Sequence, residues 1–296
     1  MQPQRLGRLT VSKVMELEDG PPLPVLFPGI TATDLARVRT WCDDPDLTDD
    51  PTTSRITLSM HSFVLQLGGQ NILVDTCNGN HKHRSMPSVH MLDTAYLANL
   101  AAAGFRPEDI HLVLCTHLHV DHIGWNTRLD DGRWVPTFPN ARYIFGKQDF
   151  EFFAGEAAEQ LHREAYADSV LPVVEAGMAQ IVDLSASHAV QQEIGDGVWL
   201  EPAFGHSPGS CLVKARAGGD EALFWGDMLH HPVQLARPEL TLPFDHDPER
   251  AAKVRQDTLA AIADRDTVCF PAHFRGRTAG RVRGDGQAYR FEYVGS

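Results

Sequence analysis

The chain has 296 residues, of which 43% are hydrophobic and 22% charged, and its formal net charge at neutral pH is -13. This composition is ordinary for a globular protein and excludes a disordered or fibrous chain. The strong negative charge argues against nucleic acid as a partner, because phosphate backbones are bound by basic surfaces. Small anionic substrates are not excluded, since bound divalent cations can dominate the local charge.

The cysteine content points to a reducing compartment. There are five cysteines, an odd number, and none belongs to a Cys-x-x-Cys pair. We therefore expect buried free thiols rather than disulfides or a thiolate zinc site. The first residues lead into no apolar run of signal-peptide type, and no apolar stretch has the length of a membrane span. A cytoplasmic protein without a membrane partner is the expectation.

The first distinctive segment is an arm at residues 19–53, which is rich in Pro, Asp and Thr. Such a composition predicts an ordered surface arm or a mobile loop outside the core. The large apolar residues Leu26, Phe27 and Trp41 within it either cap a pocket or a subunit partner, or pack on the body of the protein. We treat residues 1–296 as a single domain that carries this arm at its N-terminal side.

Regular elements become clear from residue 54 onward. Residues 59–67 and 72–76 predict a β-hairpin, and residues 93–103 predict a helix. Residues 110–116 form an apolar run typical of a strand buried on both faces. Further strands are predicted at 141–145, 198–203, 222–225 and 267–270, and helices near 147–168 and 248–264. The early hairpin and the long spacings favour two mixed sheets packed face to face, with helices outside.

A cluster of metal-binding residue types follows the buried strand directly. His117, His119, Asp121 and His122 lie within six residues, and imidazole and carboxylate are common ligands of zinc and related ions. His117 and His119 can converge on one ion, whereas Asp121 and His122 can face a second one. In two-metal hydrolytic sites the ions are about 3.5–4 Å apart.

Three more residues each end a predicted strand: His206, Asp227 and His273. Strand ends that share one edge of a sheet sandwich can build a single site from distant parts of the sequence. Asp227 suits a bridging ligand, because its carboxylate has two oxygens and can contact two ions. Together with the first cluster, these residues predict a dinuclear metal site.

This pattern resembles the metallo-β-lactamase superfamily in residue type and order, from about His61 to His273. The resemblance implies an α/β fold, a four-layer αβ/βα sandwich of two mixed β-sheets flanked by helices. It also implies two divalent metal ions per chain, with Zn²⁺ expected and Mn²⁺, Co²⁺ or Fe²⁺ as alternatives. The implied roles are His117, His119 and His206 on the first ion, Asp121, His122 and His273 on the second, Asp227 as the bridge, and Asp75 as a hydrogen-bonding support.

The implied reaction is metal-assisted hydrolysis. A hydroxide held between the two ions is present near neutral pH and attacks a carbonyl or phosphoryl centre, where developing negative charge is stabilised electrostatically. Asp121 is predicted as a catalytic residue that orients the nucleophile or passes its proton to the leaving group.

Two segments resemble the branch of quorum-quenching lactonases and methyl parathion hydrolase-like enzymes: residues 124–126 and 227–232. In acyl-homoserine lactonases a tyrosine follows the bridging aspartate by three residues and helps to bind the substrate oxygen. This chain has His230 there, and its imidazole can donate a similar hydrogen bond, although a supporting or structural role stays open. We expect an acyl-homoserine-lactone-like or aryl ester substrate, and a homodimer by analogy with this branch.

Other functions stay open beside this one. A phosphotriesterase-like enzyme is one alternative, and a glyoxalase II-like thioesterase, which shares the style of residues 205–209, is another. A metal-dependent binding module without catalysis is a third. For the substrate pocket, Trp125 and Phe274 are predicted as wall residues because each adjoins a ligand segment. Arg275 and Arg277 either meet a substrate oxygen or belong to a solvated loop.

Overall fold

The computed structural model of the chain describes residues 2–193 and 196–295. Its strands, in chain order, are β1 (Gln4–Leu6), β2 (Leu9–Asp19), β3 (Leu58–Leu67), β4 (Gln70–Val74), β5 (Leu112–Leu114), β6 (Thr127–Asp130), β7 (Arg133–Pro136), β8 (Arg142–Gly146), β9 (Ala179–Val182), β10 (His188–Glu193), β11 (Asp196–Pro202), β12 (Cys211–Ala217), β13 (Asp220–Phe224), β14 (Val268–Phe270), β15 (Gly280–Asp285) and β16 (Ala288–Tyr293).

The helices pack around these strands. In chain order they are α1 (Leu23–Leu26), α2 (Ala32–Val38), α3 (Tyr96–Ala102), α4 (Val120–Ile123), α5 (Lys147–Phe153), α6 (Gln160–Ser169), α7 (Leu171–Glu175), α8 (Val233–Ala236) and α9 (Pro248–Ile262). Short 3-10 turns lie at Pro87–Val89, Pro107–Asp109, Gly124–Asn126 and Gly226–Met228.

Two large mixed sheets form the centre of the fold. The first has the strand order β1-β2-β3-β4-β5-β8-β9, the second runs from β10 to β16 in chain order, and β6 and β7 form a separate hairpin. Strands β4, β5, β8 and β9 are parallel neighbours, as are β13 and β14. The other neighbours in the two sheets are antiparallel.

The two sheets pack face to face through their apolar inner faces. The ring of Phe63 on β3 meets the rings of Phe224 and Phe270 in the second sheet, with centroids 5.4 and 5.5 Å apart. Leucine, valine and alanine side chains from both sheets complete this inner core. The helices α3, α5, α6 and α7 cover the outer face of the first sheet, and α8 and α9 cover that of the second. The predicted four-layer sandwich is therefore confirmed.

The two predicted helical stretches of the second half differ in outcome. Helix α9 begins as predicted, with Pro248 in its first turn and the Asp247 side chain accepting a hydrogen bond from the backbone N–H of Arg250 at 3.1 Å. The stretch near 147–168, by contrast, is two helices. Helix α5 ends at Phe153, and the backbone N–H of Gly155 turns back to the carbonyl of Phe152 at 3.0 Å.

The arm at residues 19–53 belongs to the core, contrary to the prediction of a segment outside it. It carries α1 and α2, and Leu23 and Phe27 are fully buried. Its apolar side chains pack against those of Val233 and Leu242, so packing on the body of the protein is the correct interpretation of Phe27. The five cysteines are buried and free, as predicted.

Candidate metal centre

The ends of several strands meet at one edge of the sandwich. Strand β12 is antiparallel to both of its neighbours, so β11, β13 and the parallel strand β14 all run in the same direction. In the first sheet β4 and β5 are likewise parallel. The residues that follow these strands are Asp75, the 117–122 segment, His206, Asp227 and His273.

The structure brings all seven predicted ligands together at this edge. One group of side chains comprises His117, His119, His206 and Asp227, and a second comprises Asp121, His122, Asp227 and His273. Within each group the nitrogen and oxygen atoms that face one another lie within 4.8 Å. Six of the seven are buried, whereas the side chain of Asp121 is 21% exposed. Each group could hold a metal ion.

Asp227 lies between the two groups and turns a different oxygen to each. Its Oδ2 is 3.6 Å from His117 Nε2 and 3.3 Å from His206 Nε2. Its Oδ1 is 3.1 Å from His122 Nε2 and 2.9 Å from His273 Nε2. This division of one carboxylate between two sets of nitrogens is the arrangement that a bridging ligand requires.

Several polar atoms at the centre of the cluster are buried without any hydrogen-bond partner in the described part of the chain. They are the Nε2 atoms of His117, His122 and His273, and Oδ1 of Asp227. An unpartnered buried polar atom costs about 1–3 kcal/mol, and several that face one another would be unfavourable without a cation between them. Imidazole nitrogens and carboxylate oxygens fit zinc and similar divalent ions.

Electrostatics keeps part of the cluster in the metal-binding form. Burial holds the pKa of His117 and that of His119 well below the usual range of histidine, so both rings are neutral at physiological pH. Burial opposes ionisation of Asp227, but the neighbouring His122 and His273 rings outweigh it and hold the pKa of this carboxyl well below its usual range. Asp227 is therefore a carboxylate, the form that binds cations.

Two carboxylates orient ligand rings from outside the cluster. Asp75 accepts hydrogen bonds from His122 Nδ1 at 2.9 Å and from the backbone N–H and the hydroxyl of Thr116 at 2.7 and 2.8 Å, as its predicted supporting role requires. Asp245 accepts a hydrogen bond from His206 Nδ1 at 2.9 Å. In each case the other ring nitrogen, Nε2, faces Asp227.

Asp149 joins the two loops that carry the first group. Its carboxylate accepts hydrogen bonds from the backbone N–H of Leu118 at 3.0 Å and of Gly209 at 2.6 Å, and from the Ser207 hydroxyl at 2.9 Å. Neither Asp149 nor Asp245 was identified from the sequence. Asp149 lies inside a predicted helix and Asp245 in a loop, and neither carries a motif of its own.

His230 is buried beside the bridge between the two groups. Its Nε2 is 2.9 Å from Asp227 Oδ2, and its ring stacks on His273 with centroids 5.4 Å apart and planes 10° apart. Its backbone N–H donates to Gln234 Oε1 at 2.8 Å. Burial lowers the pKa of His230 to about 4, so the ring is neutral at physiological pH.

The two predicted pocket residues are core residues instead. Trp125 is buried, stacks on Tyr96 and donates from Nε1 to Glu16 Oε1 at 2.7 Å. Phe274 is fully buried, and its ring packs edge-on against Trp225. In both places the chain turns inward directly after the ligand segment, so adjacency in sequence does not bring these rings to the open side.

The two arginines that follow His273 contact protein groups. Arg275 forms ion pairs with Asp46 at 2.9 Å and Glu18 at 3.3 Å, and the guanidinium of Arg277 lies over the ring of Tyr293 at 5.3 Å. Other rings border the candidate ligands: those of Phe153 and His162 contact His119, and that of Phe244 contacts His206. These rings had no sequence signal apart from their residue type.

Comparison with known families identifies the superfamily of the chain. Residues 57–273 match the metallo-β-lactamase superfamily, and the chain belongs to this superfamily. The matched range begins just before β3 and ends at His273, so it contains every residue of the two groups. Superfamily members bind divalent metal ions at sites of this kind. Among curated proteins, no sequence relative was found.

Solved structures of similar fold include several hydrolases. One, described as hydrolase AbOPH in the β-lactamase superfamily, has a TM-score of 0.78 and 20% identity, covering 99% of this chain and 97% of that one. AidC, a dizinc quorum-quenching lactonase in complex with the product N-hexanoyl-L-homoserine, has a TM-score of 0.77 and 19% identity over 100% and 97% of the two chains. A probable metal-dependent hydrolase from Staphylococcus aureus has a TM-score of 0.74 and 16% identity over 99% of each chain. At such identities the likeness shows a common fold.

Within the described residues, no helix combines the length and the apolar character needed to cross a bilayer.

Proposed function

We propose that this protein is a hydrolase that binds two divalent cations, Zn²⁺ in the first instance, and cleaves a small-molecule ester or lactone. The observation that carries the proposal is the position of Asp227, whose two oxygens face two separate sets of buried imidazole nitrogens. A site for a single ion would not require the two oxygens of Asp227 to face separate sets of nitrogens.

Each ion would have its own set of side chains. The first would be held by His117, His119 and His206, the second by Asp121, His122 and His273, and both by Asp227. When bound, the two cations lower the pKa of water to supply a nucleophile near neutral pH and polarise the substrate oxygen. Asp75 and Asp245 keep the His122 and His206 rings in the orientation that presents Nε2 to the site.

Two residues of the chain are suited to proton transfer and charge stabilisation. Asp121 is the most exposed of the seven and its Oδ2 lies 3.7 Å from both His122 Nε2 and His273 Nε2. We assign it to hold the attacking group in place and to deliver a proton to the leaving group. His230, neutral and buried beside Asp227, is assigned to donate a hydrogen bond to the oxygen on which negative charge develops.

The ester or lactone class is supported by the lactonases among the structures of similar fold. It is also supported by the imidazole of His230, which can hydrogen-bond a carbonyl oxygen. We favour acyl-homoserine-lactone-like or aryl ester substrates for these reasons. Phosphotriesters and acyl thioesters are the competing substrate classes for the same chemistry.

The test is metal analysis combined with a hydrolysis panel. The protein, loaded separately with Zn²⁺, Mn²⁺ and Co²⁺, is given acyl-homoserine lactones, aryl esters, a phosphotriester and acyl thioesters. We expect two ions per chain and a preference of at least about tenfold for an ester or lactone, equivalent to about 1.4 kcal/mol in transition-state binding.

A matched pair of variants controls this test. Asp227→Ala removes the carboxylate shared by both groups and should abolish metal binding and turnover while leaving a folded protein. Asp266→Ala removes a fully exposed carboxylate and should change neither. Full activity of the metal-free protein would contradict the proposal, and two bound ions without turnover on any substrate would favour a binding module.

A further inference from the structure

His162 lies against the metal ligands without belonging to either group. Its ring, on α6, stacks on the ring of His119 with centroids 4.3 Å apart and planes 20° apart. The ring of Phe153, on α5, contacts both, at 5.4 Å from His162 and 5.6 Å from His119. Two rings therefore hold the orientation of His162, as a binding residue requires.

His162 is the end of a row of imidazoles that crosses the site. Neighbouring ring centroids are 4.3 Å apart from His162 to His119, 4.6 Å from His119 to His206, 4.9 Å from His206 to His230 and 5.4 Å from His230 to His273. Three of these rings belong to the two ligand groups. The other two, His162 and His230, adjoin the His119–His206 pair, His162 at the His119 end and His230 at the His206 end, and belong to neither group.

Part of the hydrogen-bonding capacity of His162 is unused. Its Nδ1 is buried and has no hydrogen-bond partner among the described residues. Leaving a buried polar atom unpartnered costs about 1–3 kcal/mol, and phenylalanine would stack on His119 without that cost. The side chain is nevertheless only partly buried, and it lies within the electrostatic range of Asp121, the most exposed ligand candidate. The exposed part of this residue is therefore where we expect a ligand to approach the ring.

We propose that His162 is a substrate-binding residue of this site, and that one of its ring nitrogens hydrogen-bonds to an oxygen of the ester or lactone. It faces the substrate from the α6 side, whereas His230 faces it from the side of Asp227. The inference rests on the proposed function and adds to it a second imidazole that selects for an oxygen acceptor beside the scissile bond.

Three variants test this assignment with 4-nitrophenyl acetate as the substrate. His162→Phe keeps a ring to stack on His119 and removes the hydrogen bond, so kcat/KM should fall about tenfold, the effect of about 1.4 kcal/mol, mainly through KM. His162→Gln keeps a donor and should recover part of that loss. His83→Phe changes an exposed imidazole whose ring contacts His90, and should match the parent protein. The zinc content should stay the same in all three.

A readout that does not depend on turnover separates this inference from the proposed function. Acetate, the product of the probe substrate, is titrated into zinc-loaded protein while the imidazole ¹⁵N signals are recorded by NMR. The His162 signals should shift and the His83 signals should not. Unshifted His162 signals, unchanged kinetics of His162→Phe, or loss of zinc from that variant would each overturn the inference. If the parent protein hydrolyses no substrate of the panel, the proposed function is wrong. The acetate titration would still show whether His162 contacts a bound oxygen ligand.

Discussion

The α-carbon of Gly226 lies so close to Thr116 that a Cβ at this position would be 2.8 Å from Thr116 Oγ1. That hydroxyl donates to Asp75 and lies 3.1 Å from His117 Nδ1. Gly226 also has a φ of +51°, a backbone conformation that residues other than glycine rarely adopt. The close contact thus joins the turn that carries Asp227 to the segment that carries His117.

Replacing Gly226 with alanine should therefore damage the proposed metal centre. The added methyl group must displace either Thr116 or the Asp227 turn, and a misplacement of about 1 Å at a catalytic site can cost roughly 100-fold in rate. We expect Gly226→Ala to lose bound zinc and at least that much of kcat/KM, measured by metal analysis and steady-state kinetics.

The matched control is Gly286→Ala in the turn between β15 and β16. Gly286 has a similar φ of +67°, but a Cβ added there would have no neighbouring atom within 4 Å. Both variants carry the strain of a positive φ, about 1 kcal/mol, and only the first also creates the contact with Thr116. Equal zinc content in the two variants would show that the contact has no role in the site.

Strand ends made much of this site predictable. His206, Asp227 and His273 each follow an apolar strand, and strands that run in the same direction within one sheet bring their ends to the same edge. The 117–122 segment adds its ligands locally. The length and spacing of apolar runs predicted β3, β4, β5, β8, β11, β13 and β14 and favoured two mixed sheets with helices outside, whereas the four-layer sandwich was implied by the family resemblance.

Contacts that depend on long-range packing could not be predicted. Trp125 turns inward because Glu16, on β2, accepts its indole N–H. Strand β2 was not predicted because the adjacent pairs Ser12-Lys13 and Val14-Met15 break its alternation of apolar and polar residues. Asp245 reaches His206 from a loop without regular structure. The partners of such residues come from distant segments, and no spacing in the sequence specifies which way a side chain points after a turn.

The arm provides a direct test of its place in the core. Phe27 is fully buried, whereas Val25, two residues earlier in the same segment, is 57% exposed. Phe27→Ala should lower the free energy of unfolding by about 3–5 kcal/mol, and Val25→Ala should change it by less than about 0.5 kcal/mol. Urea denaturation measures both. If both substitutions change the free energy of unfolding by the same small amount, the arm lies on the surface and not in the core.

Lys82 should make the stability of the protein depend on pH in the alkaline range. Its ammonium group is buried, lies 2.9 Å from Thr127 Oγ1 and 3.3 Å from Asp168, and covers the ring of Trp134 at 3.8 Å. Burial lowers the pKa of Lys82 from 10.5 to about 8, although Asp168 acts to raise it. The folded state therefore holds fewer protons than the unfolded state between about pH 8 and 10.5.

It follows that this residue makes folding more favourable as the pH rises through that window. The shift corresponds to at most about 3 kcal/mol. Relative to Lys82→Met, which keeps an unbranched apolar chain over Trp134, the parent protein should gain stability between pH 7.5 and 10. Urea denaturation at the two pH values measures the difference. If the parent and Lys82→Met differ by the same free energy of unfolding at both pH values, burial does not lower the pKa of Lys82 in the folded protein.

Two aspartates on either side of His246 should have separable effects. Asp245 accepts from His206 Nδ1, whereas Asp247 caps α9 by accepting from the N–H of Arg250. Asp245→Ala should weaken zinc binding about 10- to 100-fold, the usual loss when the partner of a ligating histidine is removed. Asp247→Ala should cost about 1 kcal/mol in unfolding free energy and leave zinc affinity unchanged. Competition with a chromophoric chelator measures the affinities, and a similar loss of affinity in both variants would point to general damage to the loop.

His230 should affect turnover without affecting metal content. Its ring stacks on His273, and its Nε2 lies 2.9 Å from Asp227 Oδ2. His230→Phe preserves the stacked ring and removes the two ring nitrogens, the atoms of this side chain that can hydrogen-bond a substrate oxygen. Loss of one such donor costs about 100- to 1000-fold in kcat, so we expect a fall of this size with two ions still bound. His119→Phe, by contrast, should lose metal and turnover together. A normal kcat in His230→Phe would show that this imidazole only packs against His273. Loss of the ions from the variant would show instead that His230 is a ligand of the first group.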